Sequence, residues 1–281
     1  MKQLFSFVIL IMGLQCSYSS SAQSCCSQDE GWLAMASTKE FEAAHLAPVP
    51  FEFTPQGNAT MITFNTRDAK EGHAYYIPSD RPTNKVLLLF HEWWGLNDYI
   101  KKEAERWSKL LGNVDVYAVD LYDGKVATTA EEAGKLSKGL DPKRGENIVS
   151  GLLAKAGRDK EIATMGWCMG GSWAFTAAVL AGQSARATVM YYGFPEKEAK
   201  RIRPLKTDVL YIWAAKDKFI TKEVVTAFQK NVEATGNKMI WHTFDADHAF
   251  ANPSNPKHNA KAEEEARDIT LKFLKEKLQI E

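Results

Sequence analysis

The chain has 281 residues, 45% of them hydrophobic and 25% charged, with Lys+Arg and Asp+Glu balanced at 35 each. This is the composition of a soluble globular protein, long enough for one large α/β domain or two small ones. With no basic excess and no run of Lys or Arg, nothing in it points to a nucleic-acid partner.

The N-terminus differs from the rest. Lys2 precedes an apolar stretch, residues 4–14, and "QCSYSSSAQ" follows. This is the region order of a secretory signal peptide, and the stretch is about half the ~20 residues a spanning helix needs. Small residues at Ser20 and Ala22 suit a signal peptidase. Residues 1–22 are therefore expected to be removed and the protein exported, to a periplasm or the medium, with no membrane span. A lipoprotein signal ending at Cys16 is disfavoured, because Gln15 fills a slot that normally holds a small residue. Of the four cysteines, Cys25, Cys26 and Cys168 would remain. Cys25 and Cys26 are expected in a mobile tail, with an intermolecular disulfide open to them.

Residues 23–58 read as an N-terminal extension, with "APVPFEFTPQG" extended and punctuated by Pro and Gly. A single domain is expected over 59–281. "MITFNT" (61–66) and "HAYYIP" (73–78) read as a hairpin, and "KVLLLF" (85–90) as a strand covered on both faces. Ile100, Ala104, Trp107 and Leu111 recur at helical spacing, with Asp98 as the expected cap and Gly112 as the stop. "VDVYAVDLYDG" (114–124) is the next strand. Two helices follow between 129 and 156, divided near Pro142. "EIATMGW" (161–167) is a strand and "GSWAFTAAVLAG" (171–182) a helix. Strands at 187–193, 208–215 and 238–246, a helix at 221–236 and a last helix over 257–278 complete the alternation. Its expected buried stripe is Ala262, Ala266, Ile269 and Phe273. Such alternation predicts one mostly parallel sheet with helices on both faces.

In such sheets the reactive residues sit at the C-terminal ends of strands. That rule selects "HEWWG", "GWCMGG", "AAKD" and "DADHAF". In "GWCMGG", glycines flank Cys168 at the spacing of a nucleophile elbow, a sharp strand-to-helix turn. Cys168 would stand at a helix N-terminus, where negative charge is favoured. A thiol nucleophile needs a base, and the base an orienter. His248 in "DADHAF" is the expected base and Asp217 in "AAKD" the orienter, in the chain order of α/β-hydrolases. Asp245 and Asp247 are rival carboxylates; Asp247 ranks lower because adjacent side chains seldom face each other. The backbone N–H groups of Met169 and Trp93 are the expected oxyanion donors.

Together, "HEWWGLN", "AVDLYDG", "GWCMGG", "AAKD" and "DHAFAN" resemble the dienelactone hydrolase family over about residues 60–280. The resemblance implies an α/β-hydrolase fold, a Cys-His-Asp triad on Cys168, His248 and Asp217, and hydrolysis of small carboxylic esters or lactones. It also implies that Glu92 pairs with the resting thiol and helps activate it when substrate binds. Two features depart from the family. Its members bind the substrate carboxylate through arginines; here the matching stretch is Asp123-Gly124-Lys125, and the second position is Asn252. Lys125 is a flexible point charge and a weak substitute, so the usual anionic dienelactone is not the expected substrate. Trp94, Tyr122, Lys125, Phe250 and Asn252 are the candidate substrate contacts, in an aromatic pocket.

"HEWW" is not H-E-x-x-H, since Gly95 fills the last slot, so His91 reads as structural and no metal is expected. No G-x-G-x-x-G or G-K-[ST] occurs, and no cofactor is expected. The competing reading is a catalytically drifted binding or redox-responsive protein on the same scaffold.

Overall fold

The computed structural model describes residues 35–36 and 38–281. The expected signal peptide and Cys16, Cys25 and Cys26 lie outside the described residues.

Eight strands form one sheet in the order β1-β2-β4-β3-β5-β6-β7-β8. They are β1 (Thr60–Asn65), β2 (Glu71–Ile77), β3 (Lys85–Phe90), β4 (Asp115–Asp120), β5 (Glu161–Trp167), β6 (Ala185–Tyr191), β7 (Val209–Ala214) and β8 (Met239–Phe244). β2 runs antiparallel to both β1 and β4, and every other pairing is parallel. Central strands without a polar face must be covered on both sides. Accordingly Val86 to Phe90 of β3 are fully buried, and so are most residues of β4, β5 and β6.

The helices supply the covers. α1 (Lys39–Ala44) precedes the sheet. α2 (Asp98–Leu111), α3 (Ala130–Gly139), α4 (Pro142–Ala156), α5 (Met169–Ala181), α6 (Ala199–Ile202), α7 (Lys222–Glu233) and α8 (Ala260–Leu278) follow. In α2, Ala104, Trp107 and Leu111 are buried, as their spacing requires. Its cap is Asn97 rather than Asp98: the Asn97 side chain accepts from Ile100 N–H at 3.2 Å. Asp98 instead accepts the Phe53 N–H at 3.0 Å, which draws it away from capping. Gly112 ends the helix at φ 73°, a conformation that favours glycine. α3 opens with a capping box of Thr129 and Glu132, and α4 with Asp141 as cap and Pro142 in the first turn. On α8, Ala262, Ala266 and Phe273 are buried, joined by Thr270, Leu274 and Leu278, while Ile269 is half-buried.

Residues 46–58 are held along α2. Gln56 N–H donates to Glu105 at 2.8 Å, Tyr99 donates to the Val49 carbonyl at 2.9 Å, and Lys102 sits 4.9 Å above the Phe51 ring. The chain ahead of this segment carries α1, whose Phe41 ring packs against Trp93, which follows β3, and His248, which follows β8.

The start of α5 approaches β5 and the end of β3 so closely that side chains are excluded. A Cβ on Gly166 would lie 2.1 Å from the Gly170 carbonyl oxygen, and one on Gly170 2.2 Å from that of Phe90. Gly139, at the end of α3, has open space around it. Gly170→Ala is therefore expected to lose roughly 3 kcal/mol of stability, since the obstruction is backbone. Gly139→Ala should gain roughly 0.4–1 kcal/mol. Chemical denaturation of the two variants checks the contrast.

Candidate active site

The turn between β5 and α5 puts Cys168 at φ 53° and ψ −121°. For a residue with a Cβ this is strained, by ~1–3 kcal/mol. It is held by Cys168 N–H donating to the Tyr191 carbonyl at 2.9 Å and Gly171 N–H donating to the Cys168 carbonyl at 3.0 Å. The thiol consequently points away from the sheet, at the start of α5, with the Met169 N–H beside it.

Two other strand ends meet it. His248, after β8, has Nε2 at 3.2 Å from Cys168 Sγ and Nδ1 at 2.6 Å from Asp217 Oδ2. A carboxylate only accepts, so Nδ1 carries the proton and Nε2 faces the thiol. Asp217, after β7, is itself fixed by N–H donors from Phe219 at 2.8 Å and Ile220 at 3.0 Å. The rival carboxylates are turned elsewhere: Asp245 to Lys216 at 3.0 Å and Asp247 to Lys257 at 3.1 Å.

The electrostatics follow from burial. Burial opposes ionisation of Asp217, but the facing His248 and its two N–H donors outweigh it and hold the carboxyl below its ordinary range. Burial alone would lower His248; the Asp217 carboxylate and Cys168 hold it well above its ordinary value. Burial pushes the Cys168 thiol up, against the pull of His248, and the Glu92 carboxylate adds to the rise. Both groups that share the Sγ–Nε2 hydrogen bond are thus pushed toward holding the proton.

Glu92, after β3, differs from the pairing implied by the family resemblance. Its carboxyl accepts from the Asn252 amide through Oε2 and from Tyr192 OH at 3.4 Å, while the thiol is bonded to His248. The reason is local. Ser254 N–H and Oγ–H both donate to Asn252 Oδ1, at 2.9 and 2.7 Å, which aims the Asn252 NH2 at Glu92. Burial raises Glu92 to about 7, despite the opposing effects of His248, Asn252 and Tyr192.

A cleft of about 740 Å³ lies beside this cluster, with Glu92 and Asn252 in its wall. Trp94 and Trp167 also line it, together with Phe53 and Tyr99. Of the expected substrate contacts, Trp94 and Asn252 thus reach the cleft and three do not. Phe250 is fully buried against Tyr192 and Phe244; it is core, because its neighbour Ala249 turns the chain at φ 61°. Tyr122 is buried, its OH donating to the Trp93 carbonyl and the Met169 sulfur, both at 3.2 Å, so it ties the two expected oxyanion segments together. Lys125 is exposed and away from the cleft wall. His91 is structural: Nε2 accepts from Leu121 N–H at 3.2 Å and Nδ1 donates to the Glu92 carbonyl at 2.5 Å.

Residues of the extension complete the cluster. Phe41 of α1 and His45 after it are buried, with ring centroids 6.0 and 5.2 Å from that of His248. They pack edge-on to Trp93, at 5.0 and 5.1 Å. Cys168 is 1% exposed beneath them. Burial, with the charge of His248 adding to it, pushes His45 down to about 3. No local pattern in the sequence marks these residues, since they lie ahead of the strand–helix alternation.

The fold and the strand-end site define an α/β-hydrolase. It overlays a dienelactone hydrolase-like promiscuous phosphotriesterase from metagenomic libraries with a TM-score of 0.68, at 20% identity over 79% of this chain and 99% of the other. The sequence profile of the dienelactone hydrolase family matches residues 73–278, and the chain belongs to that family. It is 34% identical over 122 residues to a carboxymethylenebutenolidase of Pseudomonas sp. (strain P51), covering 42% of this chain and 48% of that one. It is 25% identical over 228 residues to carboxymethylenebutenolidase 1 of Cupriavidus pinatubonensis, covering 76% of this chain and 95% of the relative.

Glu92 makes stability depend on pH. Its folded value of about 7 lies above the ordinary 4.5. Between those values the unfolded chain has lost the proton that the folded chain keeps. Stability therefore falls as pH rises through this window and levels off above it. Glu92→Gln removes the effect. The stability of Glu92→Gln relative to the parent should grow by up to roughly 3 kcal/mol between pH 5 and 8, as read by denaturant midpoints at each pH.

Proposed function

We propose that this dienelactone hydrolase-family enzyme is an exported hydrolase of carboxylic esters or lactones that uses Cys168 as its nucleophile. The observation that carries the reading is the continuous chain from Cys168 Sγ through His248 to Asp217, at 3.2 and 2.6 Å.

The chemistry runs in two halves. Cys168 attacks the acyl carbon as His248 Nε2 takes the thiol proton. The Met169 and Trp93 N–H groups hold the oxyanion. As it collapses, the C–O bond of the ester breaks and His248 returns the proton to the leaving alkoxide. Water then loses a proton to His248 and attacks the thioester. The acid leaves, and the proton goes back to sulfur. Asp217 keeps the imidazole in the tautomer each transfer needs. Glu92 is positioned by Asn252 and Tyr192 to act on the thiol once substrate enters from the cleft. No step needs a cofactor.

The substrate reading rests on the cleft. Asn252, at the position where the family carries an arginine, is committed to Glu92, and Lys125 lies outside the cleft wall. An anion clamp at those two positions is therefore lacking; Trp94 and Trp167 offer aromatic faces to an acyl group, in a cleft whose wall also carries Arg106, Arg267, Glu103 and Glu263. Export rests on residues 1–22. The drifted-protein alternative would be favoured by a broken triad, and the two distances above argue against one.

Cys168→Ala should abolish turnover of activated aryl esters. Asp217→Asn should cut kcat by roughly 10³–10⁴-fold while leaving KM nearly unchanged. Steady-state kinetics on an aryl ester and lactone panel checks both, and undiminished turnover by Cys168→Ala would refute the assignment.

A further inference from the structure

Three donor atoms meet above the elbow, and the hydrolytic mechanism uses only two of them. Cys168 Sγ and ring nitrogens of His45 and His248 lie within 4.8 Å of one another, and all three residues are buried. His45 is fixed from one side. Its Nδ1 donates to the Phe41 carbonyl at 2.7 Å, so Nε2 carries the lone pair. The Phe41 ring stacks on it at 3.9 Å between centroids. Nε2 itself is buried and, among the described residues, has no hydrogen-bond partner. A buried polar atom left unpaired is costly, so an acceptor held in this way calls for a ligand.

The shape of the cluster says which kind. A histidine that binds a metal nearly always donates its other ring N–H to a carboxylate or a backbone carbonyl. Both histidines here do so, His45 to the Phe41 carbonyl and His248 to Asp217. One thiolate and two imidazoles suit soft or borderline d10 cations, zinc and cuprous copper, over magnesium or calcium. Around a tetrahedral zinc, bond lengths of ~2.0–2.3 Å put such donors roughly 3.3–3.6 Å apart. The Cys168–His248 edge stands at 3.2 Å, and the two edges to His45, within 4.8 Å, close by a movement of that ring of about an ångström.

We propose that His45, Cys168 and His248 form a binding site for one thiophilic d10 cation such as zinc, completed by the N-terminal segment. Binding displaces to solvent the proton held between Sγ and Nε2, and sulfur ligates as thiolate. The ion then occupies the thiol and its base together, and ties the segment that bears α1 over the elbow. That this switches off hydrolysis rests on the roles proposed above; the binding does not.

Cobalt(II) is the probe, because thiolate ligation gives it a near-ultraviolet charge-transfer band whether or not the enzyme turns over. The full chain with Cys16, Cys25 and Cys26 changed to Ser leaves Cys168 as the one thiol. One equivalent of cobalt should raise the band, zinc should displace it, and Cys168→Ser should abolish it. His45→Ala and the bulkier His45→Gln should each weaken zinc and cobalt binding tenfold or more. No band in the parent, or affinities in both His45 variants within twofold of it, would overturn the site. In parallel, one equivalent of zinc should remove ester hydrolysis in the parent. A band without any esterase activity leaves the metal site standing and removes the hydrolase reading; esterase activity without a band does the reverse.

Discussion

The tight turn at Cys168 is the constraint on which everything else depends. A non-glycine residue at φ 53° and ψ −121° is stable only if its neighbours leave the chain no alternative. Here the start of α5 presses on β5 through Gly166 and on the end of β3 through Gly170, with less space at each than one Cβ needs. The strain has a geometric return: the thiol leaves the sheet surface and enters the space where the chain ends after β3, β7 and β8 converge. Loosen the packing at the glycines, and the 3.2 Å approach to His248 is lost with it.

Burial then decides the chemistry. Cys168, His248 and Glu92 are each almost wholly removed from water, so their charges are set by one another. Asp217, with three hydrogen bonds of its own, is the fixed negative charge. His248 is drawn up toward it, while the thiol and Glu92 are pushed toward their neutral forms. A neutral buried thiol is poorly oxidised, since the thiolate is the reactive form. Burial is the main cause for the thiol, and Glu92 is bonded to Asn252 and Tyr192 rather than to sulfur.

The sheet, the elbow and the Cys168–His248–Asp217 cluster were legible in the sequence because each leaves a local mark. Apolar runs name the strands, two glycines name the turn, and the strand-end rule names the reactive positions. What escaped was set by distant contacts. Phe250 and Trp94 are both aromatics near a strand end, and only packing sends one to the core and the other to the cleft. Asn97 rather than Asp98 caps α2 because Phe53, far away in sequence, claims the Asp98 carboxylate. Asn252 was legible as a missing arginine, but not as the group that holds Glu92. The extension was legible only as Pro/Gly-punctuated chain; nothing local in it says that His45 comes within ring contact of His248.

The central claim is that the sulfur at this turn forms a bond with the substrate's acyl carbon. The direct measurement is mass spectrometry of the intact protein and of the peptide spanning residues 166–171, after rapid mixing with an activated aryl ester and acid quench. The account predicts a single acyl group on Cys168, formed and lost at the rate of turnover. Hydrolysis with no adduct on Cys168, or an adduct on another residue that turns over at that rate, would contradict it.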